Sequence, residues 1–488
     1  IFSPIDNQTC ADHDRSEGEG VGFTEYTLIK LGLIKPYPKT VVDALGEKYA
    51  DRTVILPAAT LRPETMFGQT NAWALPGGEY GIFEINEREV FICSPKSALN
   101  MAYQGLSPER GQVSQLGKIN GDELLGCAVT APHAAYEKLY ILPLTTIKMD
   151  KGTAIVTSVP SDAPDDYAAL MDLKNKQPFR EKYGIKDEMV LPFEIVQIIE
   201  TPGLGRQPAA DLCVAQKVAS QNDRQKLEDI KEKVYKEGFA KGIMLVGSHA
   251  GEKVSEAKPK IKAEMIAAGT ACNYAEPDKK VVSRSGNECV CALSDQWYLK
   301  YGEPEWQEIV RKHVESTLET YNPQTKKDFL LTVDWLQYWA ATRSYGLGTF
   351  LPWDPQYVIE SLSDSTIYMA YYTIAHFLQG PNNGAATADN SSYLAGAKQG
   401  LAHIAASEMT DEVWNYIMLN KEFPEFPQTS IAKETVEKLR NAFEYWYPLD
   451  LRVSGKDLIG NHLTMSLYNH TAVWNNQPEM WPRSFFTN

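Results

Sequence analysis

A polar turn directly after an apolar run is the first place where this sequence could support chemistry. Residues 59–65 read Ala-Thr-Leu-Arg-Pro-Glu-Thr and follow the β-branched run at 54–56. Proline disfavours helical backbone at the residue before it, so we expect the strand to end here in a turn. The turn would present two hydroxyls, one cation and one anion, from Thr60, Thr65, Arg62 and Glu64. It is either the rim of a pocket for a small polar substrate or a turn whose arginine and glutamate form a surface ion pair.

A second polar string, at 158–167, follows another predicted strand and precedes a predicted helix over Tyr167–Leu173. It reads Ser-Val-Pro-Ser-Asp-Ala-Pro-Asp-Asp-Tyr and so holds three carboxylates, Asp162, Asp165 and Asp166. Acids in the first turn of a helix stabilise it by ~0.3–1 kcal/mol, which would explain these residues without any function. The functional alternative is that one carboxylate is held to bind an ammonium group.

Other motifs indicate neither a metal site nor a nucleophile. The string Asp-His-Asp at 12–14 has metal-ligating side chains but no second cluster at ligand spacing, which favours a solvated loop. The string Gly-Leu-Gly at 346–348 is half of a phosphate loop, without the lysine that would follow it. The sequence contains neither a Gly-x-Ser-x-Gly elbow nor a His-Glu-x-x-His pair. We therefore predict no bound metal and no nucleophilic triad.

The composition is that of a chain able to bury large cores. Of 488 residues, 43% are hydrophobic and 23% are charged, and this length suggests about two to four domains. The 48 Lys and Arg against 63 Asp and Glu give a net charge of −15, so a nucleic-acid site would have to be a local patch. No run reaches the ~18–20 apolar residues that span a bilayer. The seven cysteines include no Cys-x-x-Cys pair, which favours a reducing compartment.

Changes in pattern along the chain predict a β-rich domain followed by a helical one. We predict a short helix over Glu25–Leu31 and then mostly strands between Thr53 and Pro160. Apolar residues at a spacing of three to four predict two helices between 220 and 268. Beyond Trp297 the composition shifts to helices rich in Trp and Tyr, and Gly380–Ser392 has the composition of a loop.

Several short strings, in their order along the chain, together resemble one protein family. These strings lie at 13–15 with 18–20, 59–70, 150–162, 283–286 with 295–299, 343–349 with 351–353, 360–368 and 447–459. They include His-Asp-Arg, Ala-Thr-Leu-Arg-Pro-Glu-Thr, Ser-Val-Pro-Ser-Asp, Asp-Gln-Trp-Tyr-Leu and Val-Ser-Gly-Lys-Asp-Leu-Ile. The chain resembles the leucyl-tRNA synthetases of the eukaryotic cytosolic and archaeal type, which are class I synthetases, and the resemblance covers nearly its whole length.

The resemblance implies an α/β fold, in which a class I nucleotide-binding (Rossmann-type) half carries an inserted β-rich α/β editing domain. The implied domains are a connector from the catalytic core at 1–38, the editing domain at 39–293 with a helical insertion near 217–268, and the second half of the catalytic domain at 294–488. The family's His-x-Gly-His signature would precede the first residue, and its Lys-Met-Ser-Lys-Ser loop would follow the last. We therefore expect an internal fragment of such a synthetase.

The resemblance also implies an editing site that hydrolyses mischarged tRNA(Leu). Asp166 would bind the α-ammonium group of the amino acid, since a carboxylate pairs strongly with a cation in a partly desolvated pocket. Thr65 would exclude leucine by its bulk, and Thr60 would help to hold the ester and the attacking water. Arg62 would contact the terminal nucleotide. No covalent nucleophile is expected, because positioning and charge stabilisation would do the work.

Two residues depart from the family pattern. Ala154 stands where the family usually has a glycine, and Gly460 stands where a bulkier residue or proline is common. If the backbone at 154 has a positive φ, an alanine there could tighten the strand behind the pocket.

In the synthetic half, the resemblance implies parts of two binding sites. Gly455 and Asp457 match the segment that meets the ribose of ATP and of the adenylate, where a carboxylate accepts from hydroxyls. Ser365, Tyr368 and His462 fall near the leucine pocket. For Tyr368 and His462 the alternative is ordinary helix packing.

As a whole, the resemblance implies a leucine–tRNA ligase that attaches leucine to tRNA(Leu), with ATP and Mg²⁺ as substrate of the intact enzyme. Editing would need no cofactor. The expected partners are tRNA(Leu), leucine, and non-cognate isoleucine, valine or norvaline, for a cytoplasmic monomer that contacts no membrane. Two alternatives stay open: an isoleucyl- or valyl-type fragment, and a non-catalytic remnant that binds tRNA or protein. The string at 363–368 favours the leucyl type.

Overall fold

The computed structural model describes residues 1–344, 346–379, 398–425 and 427–488. The chain divides into two compact units, Ile1–Ser294 and Asp295–Asn488. The loop predicted at Gly380–Ser392 lies outside the described residues. Within the described ranges, no helix is both long enough and apolar enough to cross a membrane.

The first unit is a mixed α/β structure. Its helices are α1 (Lys39–Leu45), α2 (Pro95–Ala102), α3 (Gly121–Leu124), α4 (Pro164–Asn175), α5 (Gln177–Lys182), α6 (Pro208–Ala215), α7 (Arg224–Lys241) and α8 (Val254–Ala267). Its strands are β1 (Phe2–Ser3), β2 (Gln8–Thr9), β3 (Arg15–Glu17), β4 (Phe23–Leu33), β5 (Thr53–Thr60), β6 (Asn71–Ala74), β7 (Glu79–Glu84), β8 (Glu89–Cys93), β9 (Gln115–Asn120), β10 (Ala128–Thr130), β11 (Leu139–Pro143), β12 (Ile155–Ser158), β13 (Ile199–Glu200), β14 (Ile243–Met244), β15 (Ala271–Pro277) and β16 (Val282–Ser283).

Ten of these strands form one mixed sheet. Its order is β12-β6-β11-β10-β4-β5-β8-β7-β9, and β15 pairs with β4 off this path. The pairs β6–β11 and β5–β8 are parallel, and the remaining pairs are antiparallel. The main apolar core lies against this sheet and includes Val41 of α1 and Ile261 of α8. A second core joins Trp73 of β6 to Leu170 and Leu173 of α4, which fixes that helix against the sheet.

The helix predicted over Glu25–Leu31 is wrong, because this segment lies within strand β4 near the middle of the sheet. Ile29 and Leu31 belong to the main core, whereas Leu28 belongs to a separate apolar cluster. Thr27, Leu28 and Ile29 are buried in succession, so both faces of the strand are covered there and its pattern does not alternate strictly. Apolar spacing over so short a segment does not distinguish a strand from a short buried helix.

The two helices predicted between 220 and 268 are confirmed as α7 and α8. Leu227, Ile230 and Val234 are the buried apolar residues of α7, as their spacing predicted. They form a small core with Ala168 of α4 and Cys213 of α6. This packing holds α7 beside the helix that carries the second polar string.

The second unit is mainly helical in its described part. Its helices are α9 (Pro304–Ser316), α10 (Pro323–Trp335), α11 (Ser361–Asp364), α12 (Tyr368–Leu378), α13 (Asp411–Met418), α14 (Lys433–Trp446) and α15 (Thr464–Val473). Its strands are β17 (Tyr298–Leu299), β18 (Trp339–Ala340), β19 (Thr342–Arg343), β20 (Val358–Ile359), β21 (Lys398–Gln399), β22 (Ile404–Ala405), β23 (Arg452–Ser454) and β24 (Phe485–Thr487). Strands β23 and β24 are parallel. The predicted mixed α/β class is confirmed by the large sheet of the first unit and its surrounding helices.

Candidate active site

The polar turn at 59–65 is tied together by hydrogen bonds to one residue, Arg62. Strand β5 ends at Thr60, and a 3-10 helix, Pro63–Gly68, begins after Arg62, whose φ of −128° and ψ of 63° lie outside the helical region. The backbone N–H of Arg62 donates to Thr60 Oγ1 at 3.0 Å. The carbonyl of Arg62 accepts from Thr65 Oγ1 at 2.8 Å and from the Thr65 N–H at 3.0 Å. The position of Arg62 therefore fixes both threonines.

The guanidinium of Arg62 is buried among two acids and an aromatic ring. Its Nε donates to Glu64 Oε1 at 3.2 Å, and its Nη2 lies 3.8 Å from Asp162 Oδ1. The ring of Tyr235 lies 4.7 Å from the guanidinium carbon. Burial lowers the pKa of Arg62, but the charges of Asp162 and Glu64 outweigh it and hold the pKa above its ordinary value. The ion pair between Arg62 and Glu64, predicted as a surface pair, exists but is not at the surface. Glu64 and the second acidic partner, Asp162, are both buried.

Asp166 is the third residue of α4, yet its carboxylate does not cap that helix. It accepts hydrogen bonds from the indole N–H of Trp73 at 2.9 Å and from the backbone N–H of Val159 at 2.8 Å. The residue is 8% exposed. Burial raises the pKa of Asp166 to about 7, and the two hydrogen bonds offset that rise only in part. Both donors are neutral, so this is a fixed carboxylate beside which a cation would be stabilised.

The other two acids of the string have different surroundings. Asp162 is buried and accepts from Ser161 Oγ at 2.7 Å. Burial raises the pKa of Asp162, and Arg62 opposes that rise. The side chain of Asp165 is 47% exposed and lies 3.7 Å from Lys231 Nζ. Asp162 is thus the partner of an arginine, Asp165 is a partly solvated acid, and Asp166 is a buried acid with neutral hydrogen-bond donors.

Contacts between the two strings place them side by side. The Thr70 N–H donates to the carbonyl of Ser158 at 3.1 Å. A Cβ added to Gly68 would lie 3.0 Å from Val159 Cγ1, so the end of the 3-10 helix packs against the residue that binds Asp166. Together with the link from Arg62 to Asp162, this groups Thr60, Arg62, Thr65 and Asp166 in one region of the first unit.

Two residues of this region were not predicted from the sequence as part of the site. Trp73 is fully buried in β6 and gives its indole N–H to Asp166, and Tyr235 lies on α7 over Arg62. A buried indole N–H usually has a hydrogen-bond acceptor, so the sequence could have indicated that Trp73 has a polar partner but not which one. No sequence pattern points to Tyr235, because its partner is 173 positions away in the chain.

Ala154 has a φ of 60°, the left-handed conformation that favours glycine. Its carbonyl accepts from the hydroxyl of Tyr80 at 2.8 Å. The backbone at 154 therefore has the positive φ at which an alanine in place of the usual glycine could tighten the strand behind the pocket. At Gly460, a Cβ would meet no heavy atom within 4 Å, so a bulkier residue has room there.

In the second unit, three predicted residues contact one another. His462 Nε2 lies 3.0 Å from Ser365 Oγ, and the rings of His462 and Tyr368 lie 5.8 Å apart. Burial, with a smaller effect from Arg452, lowers the pKa of His462 to about 4. A cavity of about 580 Å³ adjoins Ser365 and Tyr368, and its wall includes Trp414. Its mainly apolar wall beside a few polar groups is typical of a small-molecule site.

Gly455 and Asp457 lie at the 3-10 helix Lys456–Leu458, where Asp457 is exposed. A Cβ on Gly455 would lie 2.4 Å from Asp457 Oδ1, so this carboxylate folds back over the glycine. The preceding strand carries Arg452, whose guanidinium carbon lies 5.0 Å from the ring of Tyr368. This arginine connects the glycine segment to the cavity wall. In the described ranges, no three His, Cys, Asp or Glu side chains are grouped as metal ligands.

Comparison with known proteins gives the family. Over 488 residues, all of this chain, it is 51% identical to the cytoplasmic leucine–tRNA ligase of Pongo abelii and covers 40% of that protein. It is 48% identical to the cytoplasmic leucine–tRNA ligase of Dictyostelium discoideum, again over its whole length, and covers 44% of that protein. Among solved structures, GlLeuRS-CP1 is 42% identical, with 51% of this chain and 99% of that one covered and a TM-score of 0.49. No protein-family model matches the chain.

The sequence identity over the whole chain groups it with the aminoacyl-tRNA synthetases. The chain belongs to the leucyl-tRNA synthetase family. It spans less than half the length of these curated relatives.

Proposed function

We propose that the first unit hydrolyses mischarged tRNA(Leu), as the editing part of a leucine–tRNA ligase. The observation that carries this proposal is the carboxylate of Asp166, which is buried and oriented by Trp73 and Val159. Val159 in turn packs against the 3-10 helix that carries Thr65. A free α-ammonium group is common to all aminoacyl esters. A fixed buried carboxylate would attract that group and so orient the ester for attack by water.

Selection against the cognate ester is assigned to Thr65. Leucine and isoleucine differ only in the position of one methyl group, and a hydrophobic pocket gains only ~1–3 kcal/mol from such a difference. A second, hydrolytic site that rejects leucine by size would correct the resulting errors. Thr65 is 4% exposed and its hydroxyl is held by the carbonyl of Arg62, so its methyl group has a defined position from which it can exclude one side chain.

Thr60 and Arg62 would complete this site. The Thr60 hydroxyl accepts from the Arg62 N–H, which leaves its own proton free to be donated to an ester oxygen or a water. The contact of Arg62 with the terminal nucleotide stays a prediction. Its guanidinium faces Glu64, Asp162 and Tyr235, which supports a further role in holding the turn.

We propose that the second unit contributes to the synthetic site of the whole protein. Ser365, Tyr368 and His462 would line the leucine pocket beside the cavity, and a neutral His462 suits an uncharged side chain. Gly455 and Asp457 would meet the ribose of ATP or of the adenylate. ATP with Mg²⁺, leucine and tRNA(Leu) would be substrates of the whole cytoplasmic enzyme, a monomer. Isoleucine, valine or norvaline would be the editing targets.

The proposed domain bounds are those implied by the family: a connector at 1–38, the editing domain at 39–293, and part of the catalytic domain at 294–488. The division of the structure after Ser294 supports the last bound. Strand β4 lies inside the first range and pairs with β5 and β15, so this connector also contributes to the sheet of the editing unit.

The proposal is tested by release of amino acid from Ile-tRNA(Leu) and Leu-tRNA(Leu) incubated with this chain. We expect fast release of isoleucine and sparing of leucine. Equal release of both would contradict a selective editing site. Binding of both tRNAs without release, by a folded chain, would favour the non-catalytic remnant.

A further inference from the structure

Helix α7 presents two residues of one face to the guanidinium of Arg62. The ring of Tyr235 lies 4.7 Å from the guanidinium carbon. One turn later, a Cβ added to Gly238 would lie 3.7 Å from Arg62 Nη2. Residues three apart lie on the same face of a helix, so α7 approaches Arg62 closely along that face.

The electrostatics make the Tyr235 ring a stabilising neighbour for the cation. A guanidinium over an aromatic face is attracted by the ring quadrupole, more strongly where water is excluded. Glu64 and Asp162 hold the same guanidinium from other directions. Burial raises the pKa of Tyr235, so its ring stays neutral at physiological pH. Loss of the ring would leave Arg62 paired with its two acids but without the aromatic contact from α7.

Movement of Arg62 would be transmitted to both threonines of the turn. The backbone of Arg62 holds the Thr60 hydroxyl through its N–H and the Thr65 hydroxyl through its carbonyl. A side chain that anchors Arg62 therefore acts on the ester-binding threonine and on the threonine assigned to exclude leucine.

We propose that Tyr235 is a positioning residue of the editing site, which holds the guanidinium of Arg62 and so fixes Thr60 and Thr65. This inference rests on the proposed editing function. It gives α7 a specific role in selectivity, since a helix far along the chain from the turn supplies the ring that holds the turn in place.

The test compares deacylation of Ile-tRNA(Leu) and Leu-tRNA(Leu) by Tyr235→Leu, Tyr235→Phe and the unaltered chain. Tyr235→Leu should lower kcat for the isoleucyl ester about tenfold and reduce its preference over the leucyl ester, with KM nearly unchanged. Tyr235→Phe keeps the aromatic face and should retain both. Unaltered kinetics in Tyr235→Leu, or an equal loss in Tyr235→Phe, would overturn the proposal.

A matched control separates this role from simple helix packing. Leu227 is buried on the same helix two turns earlier, in the small core with Ala168 and Cys213. Leu227→Ala should lower the melting temperature at least as much as Tyr235→Leu but leave the preference for the isoleucyl ester intact. A similar loss of preference in Leu227→Ala would show that α7 acts only as packing.

A spectroscopic readout tests the contact apart from activity. The Nε–H resonance of Arg62, assigned by its disappearance in Arg62→Lys, should be shifted by the ring current of Tyr235. It should move in Tyr235→Leu and stay in place in Tyr235→Phe. A resonance unchanged in Tyr235→Leu would overturn the proposed contact, whereas an unaltered chain that shows the contact but releases no amino acid would contradict only the editing function.

Discussion

The polar clusters of the two units differ in charge. In the first unit, the largely buried Arg62 lies between the buried side chains of Glu64 and Asp162, and Asp166 is a buried acid whose pKa is about 7. In the second unit, the buried polar groups include two histidines, His462 and His470, and burial lowers the pKa of each to about 4. At neutral pH these imidazoles are uncharged.

The difference indicates what each cluster can bind. A fixed acid with neutral donors lowers its free energy when a cation arrives, so the first cluster suits the ammonium group of an aminoacyl ester. The mainly apolar cavity beside Ser365 attracts no ion strongly, and the neutral His462 that contacts Ser365 suits an uncharged side chain and its hydrogen-bonding groups. The proposed function therefore assigns recognition of the ammonium group to a buried charge and recognition of the amino-acid side chain to an apolar cavity.

The largest expected effect is the loss of editing in Asp166→Ala. Removal of the charge should abolish deacylation of Ile-tRNA(Leu), a loss of about 100-fold or more, because a buried contact between ions is made only with the carboxylate. Rates are measured by single-turnover release of isoleucine. Asp165→Ala is the matched control, since this neighbouring acid is solvated, and it should keep nearly full activity.

Asp166→Ala also leaves the N–H groups of Trp73 and Val159 without their acceptor, at a cost of ~1–3 kcal/mol per buried group. The fold of the variant is therefore checked by circular dichroism. Asp166→Asn, which keeps the shape and one acceptor oxygen, should show the same loss of activity. Full activity in either variant would remove the anchoring role.

The second effect concerns selectivity at Thr65. Thr65→Ala should enlarge the pocket and raise the hydrolysis of Leu-tRNA(Leu) by about tenfold or more, since one methyl group in a pocket contributes ~1–3 kcal/mol. Thr65→Val keeps the bulk and loses only the hydrogen bond to the Arg62 carbonyl, so it should still spare leucine. Hydrolysis of Leu-tRNA(Leu) by both variants would show that the hydroxyl matters more than the bulk.

The pH dependence of editing separates the two clusters. Protonation of Asp166 below its pKa of about 7 removes the negative charge, so kcat/KM for Ile-tRNA(Leu) should fall about tenfold per pH unit below that value. Burial lowers the pKa of His462 and of His470 in the second unit to about 4, so these two imidazoles should leave this profile unchanged. A flat profile from pH 5.5 to 8 would contradict an ionised Asp166 in substrate binding.

The last effect is on the stability of the second unit and leaves editing unchanged. The folded pKa values of His462 and His470 lie below the unfolded value of 6.5, so their stabilising contribution is present above pH 6.5 and is lost as pH falls toward 4. We expect a decrease on the order of a few kcal/mol in the free energy of unfolding. Of the 10 tryptophans, all except Trp73 lie after residue 294, so urea unfolding followed by tryptophan fluorescence reports mainly on this unit. Unchanged stability between pH 7.5 and 5 would contradict buried neutral imidazoles.

Local patterns in the sequence predicted the parts of the site that depend on nearby residues. Pro63 correctly predicted that β5 ends in a turn, and the 3–4 spacing of Leu227, Ile230 and Val234 correctly predicted α7. The roles of Thr60, Thr65 and Asp166 stay predictions, although the structure brings their segments together.

Features that depend on distant residues could not be predicted in this way. The run 25–31 could not be resolved into strand or helix until its neighbours β5 and β15 were known. The acceptor of the Trp73 indole and the ring over Arg62 lie 93 and 173 positions away. The burial that raises the pKa of Asp166 arises from that same tertiary packing, so composition and spacing contain no signal for it.

Asp166 is proposed to bind the α-ammonium group of the amino acid. The most direct test of this role compares hydrolysis of Ile-tRNA(Leu) with that of the same ester carrying a hydroxyl in place of the amine, in the unaltered chain and in Asp166→Asn. We expect the unaltered chain to prefer the ester with the ammonium group strongly and Asp166→Asn to show no such preference. An equally strong preference in both would contradict the claim.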